Sequence, residues 1–378
     1  MQRKPFLRKV RRIVVKVGSQ VLTDGRGRLW PPVFFLLGGQ IAELMEEQKQ
    51  VIVVSSGAIA GGRSILGFRP GRASIPEKQA LAAVGQTRLM GFYQQALEFH
   101  GIRAGQVLLT REDLADRKRY LNARNALFKL LAFGVVPVIN ENDTVLVEEI
   151  KFGDNDNLSA MVAILAEADL LVLLTSVAGL YPGGEETARA GDPIPYVERI
   201  TREILDMARG PSGPLGTGGM TTKLEAALLA TQAGIPVVIA EGRREGVLRD
   251  IVQAEPVGTF FPPTRDLLTH KKHWIAYTLK RKGAIVLDEG AVEAIVERGK
   301  SLLPSGVVAV QGNFETGDMV SCLDPEGREI ARGITHYSAQ EIRKIMGKKS
   351  SQIEALLGYK IQDEVIHRDE LVLLRDLA

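Results

Sequence analysis

The sequence predicts an α/β protein, a three-layer αβα sandwich around a mainly parallel sheet, followed by a small β-rich domain. Three observations lead there. Short apolar, β-branched runs alternate with stretches of helical period over the first two thirds of the chain. The alternation stops near Phe261, and beyond it short strand candidates are punctuated by Gly, Asn and Asp turns. At 378 residues the chain exceeds what one hydrophobic core normally supports, so two domains are expected.

Strands are expected at Ile13–Val17, Val51–Ser55, Gln106–Leu109, Val135–Ile139, Leu170–Thr175 and Pro236–Ala240. These runs are apolar at successive positions, which suits strands buried on both faces. Between them, Phe34–Gln48, Pro76–Phe99, Tyr120–Phe133, Asn157–Glu167 and Thr221–Ala233 carry helical periodicity. That alternation places helices on both faces of a parallel sheet. Pro262-Pro263 ends the pattern, and the basic stretch that follows reads as a linker. The expected division is 1–265 for the α/β domain, 266–282 for the linker, 283–362 for the β-rich domain and 363–378 for a tail. Strands of the second domain are expected at Ala284–Leu287, Val307–Val310, Met319–Leu323 and Glu329–Ile334.

Bulk properties exclude several function classes. A hydrophobic fraction of 45% and a charged fraction of 25% are those of an ordinary globular protein, and a net charge of +3 creates no strong field toward nucleic acid or an anionic membrane. Cys322 is the only cysteine, so no intrachain disulfide forms and a reducing, cytoplasmic location is expected. No signal peptide is evident, and no apolar run approaches the roughly 20 residues that span a bilayer. His100, His270, His273, His336 and His367 lack metal-ligand spacing.

Five segments carry polar chemistry beside expected strand or helix ends. Lys16 closes the first strand ahead of Gly18, where parallel sheets place ligands and where glycine lets backbone approach an anion; the competing reading is a lysine snorkelling off a strand end. Ser55-Ser56-Gly57 precedes small residues, which suits an anion nest or, alternatively, helix capping and tight packing. Asn140-Glu141-Asn142-Asp143 follows a buried strand; such groups need partners, and a ligand ammonium suits Asp143, although an Asx-rich turn competes. Lys151 to Ala160 begins a helix that Asn157 could cap, and it is not a calcium loop, because Leu158 stands where an oxygen ligand is required. Gly216 to Lys223 is glycine-dense and ends in a lysine on the first turn of a helix, suited to phosphates or, as an alternative, to a plain linker. Neither a Walker A loop nor a dinucleotide fingerprint is present.

Read in order, these segments resemble the glutamate 5-kinases of the amino-acid kinase family. Asp288-Glu289-Gly290-Ala291, Leu302 to Gly306 and Gly312-Asn313-Phe314 resemble the PUA domain appended to bacterial members. The resemblance implies that Lys16 and Lys223 flank the transferred phosphoryl group and that Asp156 holds them. It implies glutamate binding by Ser56, Asp143 and Asn155, with Asn140, Lys151 and Asp154 close by. Nucleotide contacts are implied for Thr175, Ser176, Thr217, Gly218, Gly219, Met220, Thr221, Thr222 and Lys223, with Lys16. The family often has aspartate where Ser176 stands. ATP, Mg²⁺, feedback inhibition by proline and a homo-oligomer, dimer or tetramer, are implied as well.

The chemistry is consistent with that resemblance. A glutamate side chain, with an ordinary pKa of about 4.3, is already an anion at neutral pH, so attack on a phosphate needs no general base. The obstacle is charge repulsion, which lysines and a metal offset. Rival expectations are another carboxylate, carbamate or nucleotide kinase of the same fold, and an RNA-binding role for the second domain. The latter is disfavoured because acids slightly outnumber bases from Gly283 to Lys360. The stretch Phe68 to Pro76 is expected to be a mobile element over the substrate or a surface loop.

Overall fold

The computed structural model describes residues 3–68, 73–145, 155–182, 191–209, 219–264 and 281–374. The chain divides into two compact units, 1–113 with 122–267, and 114–121 with 268–378.

The first unit is built on a seven-stranded sheet in the order β3-β4-β2-β1-β5-β6-β7. Its strands are β1 (Arg12–Val17), β2 (Gln50–Ser55), β3 (Arg103–Leu109), β4 (Val135–Glu141), β5 (Leu170–Thr175), β6 (Val237–Glu241) and β7 (Thr259–Phe261). All neighbouring pairs are parallel except β6 and β7. Central β1 pairs with β2 on one side and β5 on the other, Lys16 lying opposite Val54 and Leu173. The strand order reverses here, which is where parallel sheets open a crevice at their carboxyl ends.

Alternation along β1 decides which way the lysine points. Ile13, Val15 and Val17 join a core packed against the helices Pro31–Glu46, Ile75–Glu98 and Val247–Val252. Val14 and Lys16 therefore face the opposite side, toward the helices Asn155–Leu165 and Met220–Gln232. The first of these is buried at every position from Leu158 to Leu165, so it forms an inner layer.

Each expected strand of this unit is present, within three residues at either end. Strand β4 continues past Ile139, so Asn140 and Glu141 end the strand and are not part of a turn. The helix expected to start at Phe34 starts at Pro31, because Pro31-Pro32 fills first-turn positions whose N–H groups have no intrahelical partner. The helix expected to be capped by Asn157 begins at Asn155, which places Asn157 inside it.

The helix Ala58–Leu66 leaves β2 through Gly57, whose φ of +102° is a conformation side chains resist. It crosses Ile75–Glu98 backbone to backbone. A Cβ added at Gly85 would lie 1.7 Å from the Ala58 carbonyl oxygen, and one at Gly62 would lie 1.9 Å from that of Leu81. Gly85→Ala is therefore expected to destabilise the protein by at least the ~1–3 kcal/mol typical of overpacking, read as a lower denaturation midpoint.

The second unit carries a five-stranded sheet in the order β12-β11-β10-β8-β9. Its strands are β8 (Arg281–Leu287), β9 (Val307–Gly312), β10 (Met319–Leu323), β11 (Glu329–Ile334) and β12 (Leu371–Leu373). Ile285, Val320, Cys322, Ala331 and Tyr337 form its core, and burial pushes the Cys322 thiol up to about 12. The segment read as a separate tail contributes to this unit. Leu371–Leu373 pairs with β11, Ile366 bridges Leu302, and Val365 and Ile366 are buried. Its apolar residues come in short groups between charges, too brief to register as a strand in sequence. Most of the expected linker lies outside the described residues; Arg281 and Lys282 begin β8.

Candidate active site

Three side chains from three elements converge at the carboxyl end of β1. Lys16 Nζ lies 2.5 Å from Asp156 Oδ1, and Lys223 Nζ lies 3.3 Å from Asp156 Oδ2. Their exposures are 2% for Lys16, 0% for Asp156 and 4% for Lys223. Thr222 Oγ1 stands 2.8 Å from Asp156 Oδ2 and 2.9 Å from the Gly219 carbonyl. Two ammonium groups share one carboxylate in this buried cluster. Buried charges need partners, and Asp156 supplies one to each amine. A Cβ added at Gly18 would stand in ordinary contact with the Leu174 carbonyl at 3.4 Å and with Lys16 Nζ at 3.9 Å. The Gly18 amide itself donates to the Leu174 carbonyl, so the expected role of this glycine is reduced.

Next to the cluster, where β2 and β4 end, lies a second group of polar side chains. Asn155 Nδ2 lies 3.1 Å from the Ser55 carbonyl, 3.0 Å from Ser56 Oγ and 3.1 Å from Asn140 Oδ1. Asn140 accepts from the Glu141 amide at 2.9 Å and donates to Gln86 Oε1 at 2.8 Å. Ser55 Oγ sits 3.0 Å from the hydroxyl of buried Tyr93, whose phenol burial holds well above its ordinary range. Asn155 Oδ1 is buried and has no hydrogen-bond partner among the described residues. Asp143, in the turn after β4, is pushed up to about 6 by burial.

Asn155 and Asp156 are consecutive, so one helix start joins the lysine cluster to the amide group. Of the remaining expected nucleotide positions, Thr175 ends β5 and is buried, while Ser176 donates to Gln20 Oε1 at 2.7 Å. Gly219, Met220 and Thr221 open the helix that carries Lys223. Lys151, Asp154, Thr217 and Gly218 lie outside the described residues. Sequence reasoning passed over Gln86 and Tyr93. The available signal was a glutamine and a tyrosine on the apolar face of Ile75–Glu98 formed by Ala82, Leu89 and Ala96.

Among the described residues no group of three or more His, Cys, Asp or Glu could hold a metal ion alone. Among the described residues no helix is long and apolar enough to cross a membrane.

Two family models match the chain, the amino acid kinase family over residues 11–241 and the PUA domain over residues 283–357. The chain is similar to the glutamate 5-kinase of Pelobacter propionicus, 51% identical over 372 residues covering 98% of this chain and 100% of that one. The same holds for the glutamate 5-kinase of Geobacter sulfurreducens, 51% identical with the same coverage. A more distant glutamate 5-kinase, from Caldanaerobacter subterraneus subsp. tengcongensis, is 47% identical over 96% of this chain and 98% of its own length.

Proposed function

The chain belongs to the amino acid kinase family, among its glutamate 5-kinases, and from that premise we propose that it transfers the γ-phosphoryl group of ATP to the side-chain carboxylate of L-glutamate. The products are ADP and L-glutamyl 5-phosphate, in the first step of proline synthesis from glutamate. The observation that carries the reading is the pair of buried ammonium groups on either side of Asp156.

The attacking carboxylate oxygen is already ionised, so the residues have no proton to remove. Lys16 and Lys223 offset the repulsion between two anions and the charge spread over the transferred phosphoryl oxygens. Asp156 fixes both amines before substrate arrives, so little reorganisation accompanies transfer. Mg²⁺ on the ATP phosphates supplies further charge neutralisation. Ser56, Asn140, Asp143 and Asn155 hold glutamate, with Lys151 and Asp154 from the adjoining segment. Thr175, Ser176 and the stretch from Thr217 to Lys223 hold the nucleotide.

Asp143 gives this reading a pH signature. Its carboxyl is raised to about 6 by burial, so it is largely neutral below that pH and ionised above it. The substrate ammonium stays protonated throughout, and pairing needs the ionised carboxylate. The KM for glutamate is expected to fall as pH rises from 5 to 7, by about tenfold per unit below pH 6. Asp143→Asn should raise KM and flatten this dependence; an unchanged profile in that variant would remove Asp143 from the binding site.

Proline, which shares the ammonium and α-carboxylate of glutamate, is read as an inhibitor overlapping the same site. A cytoplasmic homo-oligomer and a structural or regulatory second unit complete the proposal, with RNA binding disfavoured by charge. The deciding assay is ATP-dependent formation of glutamyl hydroxamate from free glutamate, with and without proline. Activity on N-acetylglutamate or a nucleoside monophosphate in place of glutamate would overturn the substrate assignment.

A further inference from the structure

Gln86, on the helix Ile75–Glu98, hydrogen-bonds Asn140 and Gln106, neither of which belongs to the lysine cluster, and it has no part in the chemistry above. We propose that Gln86 is a positioning residue that tunes the site to substrates bearing a free α-ammonium group, acting through Asn140 and Asn155. The proposal rests on the glutamate kinase reading.

Hydrogen-bond direction carries the argument. The Ser55 carbonyl can only accept, so Asn155 must turn Nδ2 toward it. The Glu141 amide can only donate, so Asn140 must turn Oδ1 toward it, and that oxygen then also faces Asn155 Nδ2. Asn140 Nδ2 is left needing an acceptor in a residue only 2% exposed. Gln86 Oε1 meets it at 2.8 Å, and Gln86 Nε2 passes the chain on to Gln106 Oε1 at 3.2 Å. Each amide donates to the next, from Asn155 to Asn140 to Gln86 to Gln106. Reversing one would set donor against donor or oxygen against oxygen.

The consequence appears at the far end. With the two Nδ2 hydrogens shared among Ser55, Ser56 and Asn140, Asn155 Oδ1 is a buried oxygen without a hydrogen-bond partner among the described residues. A desolvated acceptor awaiting a donor discriminates sharply between ligands that supply one and ligands that do not. An α-ammonium supplies it. A dicarboxylate without the amine, such as glutarate, leaves the oxygen unmet. Without an acceptor at position 86, Asn140 loses the bond that holds its amide, and the orientation of Asn155 loosens with it.

The test compares kcat/KM for glutamate and for glutarate in the full-length wild type, Gln86→Met and Gln86→Glu. The ratio of the two substrates is internal to each preparation, so a reduced folded fraction cancels. Methionine keeps the volume and lacks a strong acceptor; glutamate at position 86 restores one. In Gln86→Met the preference for glutamate over glutarate should fall about tenfold, through a higher KM for glutamate with the KM for ATP unchanged. Gln86→Glu should keep the preference within about twofold of wild type. A wild-type ratio in Gln86→Met, or an equal collapse in Gln86→Glu, would mean that Gln86 only packs and would overturn the proposal. If the wild type fails to phosphorylate glutamate while phosphorylating another acceptor, the functional reading falls first and this inference with it.

Discussion

Lys223→Ala is expected to lower kcat by about two to three orders of magnitude, the range seen when one preorganised charge or donor is removed from a transition state, while the KM for glutamate changes little. The split follows from location. Lys223 stands on the first turn of Met220–Gln232 and contacts Asp156, whereas the amide group expected to hold glutamate clusters around Asn155. Lys16→Ala should behave alike, since it meets the other oxygen of the same carboxylate. If both amines act on one phosphoryl group, the double variant should cost less than the product of the two single effects, because groups that act as a unit are not additive. Steady-state and single-turnover kinetics of the three variants check this. Full multiplicative loss would indicate that the two lysines act on separate steps.

Asp156→Ala should be the most damaging single change, because it affects stability and turnover together. It would leave two ammonium groups, 2% and 4% exposed, without the carboxylate they share. Removing one partner of a buried ion pair typically costs ~3–5 kcal/mol, and here two pairs depend on the same residue. A lowered first unfolding transition is expected, along with loss of activity. Asp156→Asn keeps the shape and a contact for Thr222 but not the charge; it should fold better than the alanine variant and remain nearly inactive. ATP should partly restore the thermal stability of either variant, since its phosphates offset the positive charge of the two lysines. Normal thermal stability in Asp156→Ala would contradict the buried-triad account.

The sheet was readable because its strands are buried on both faces and leave continuous apolar runs such as Leu170–Thr175. The lysines were readable because each stands at the end of a strand or the start of a helix, where an apolar pattern has no use for a charge. Gln86 and Tyr93 were not, because their roles depend on which face of Ile75–Glu98 meets β2 and β4, and one helix taken alone does not specify that. The crossing with Ala58–Leu66 escaped for a related reason. Gly62 stands among the small residues after Ser56 and Gly85 within a helical stretch, and neither reveals in sequence that a Cβ there would meet the backbone of Leu81 or Ala58. Strand β12 was missed because three residues are too few for a period, and its place is set by pairing with β11.

The most direct measurement is a crystal structure of the enzyme with ADP, Mg²⁺, glutamate and an aluminium fluoride in the position of the transferred group. Both Lys16 Nζ and Lys223 Nζ are expected within hydrogen-bond distance of that fluoride, with the glutamate side-chain carboxylate in line behind it. A fluoride seated away from either amine, or a carboxylate that cannot reach it, would contradict the account.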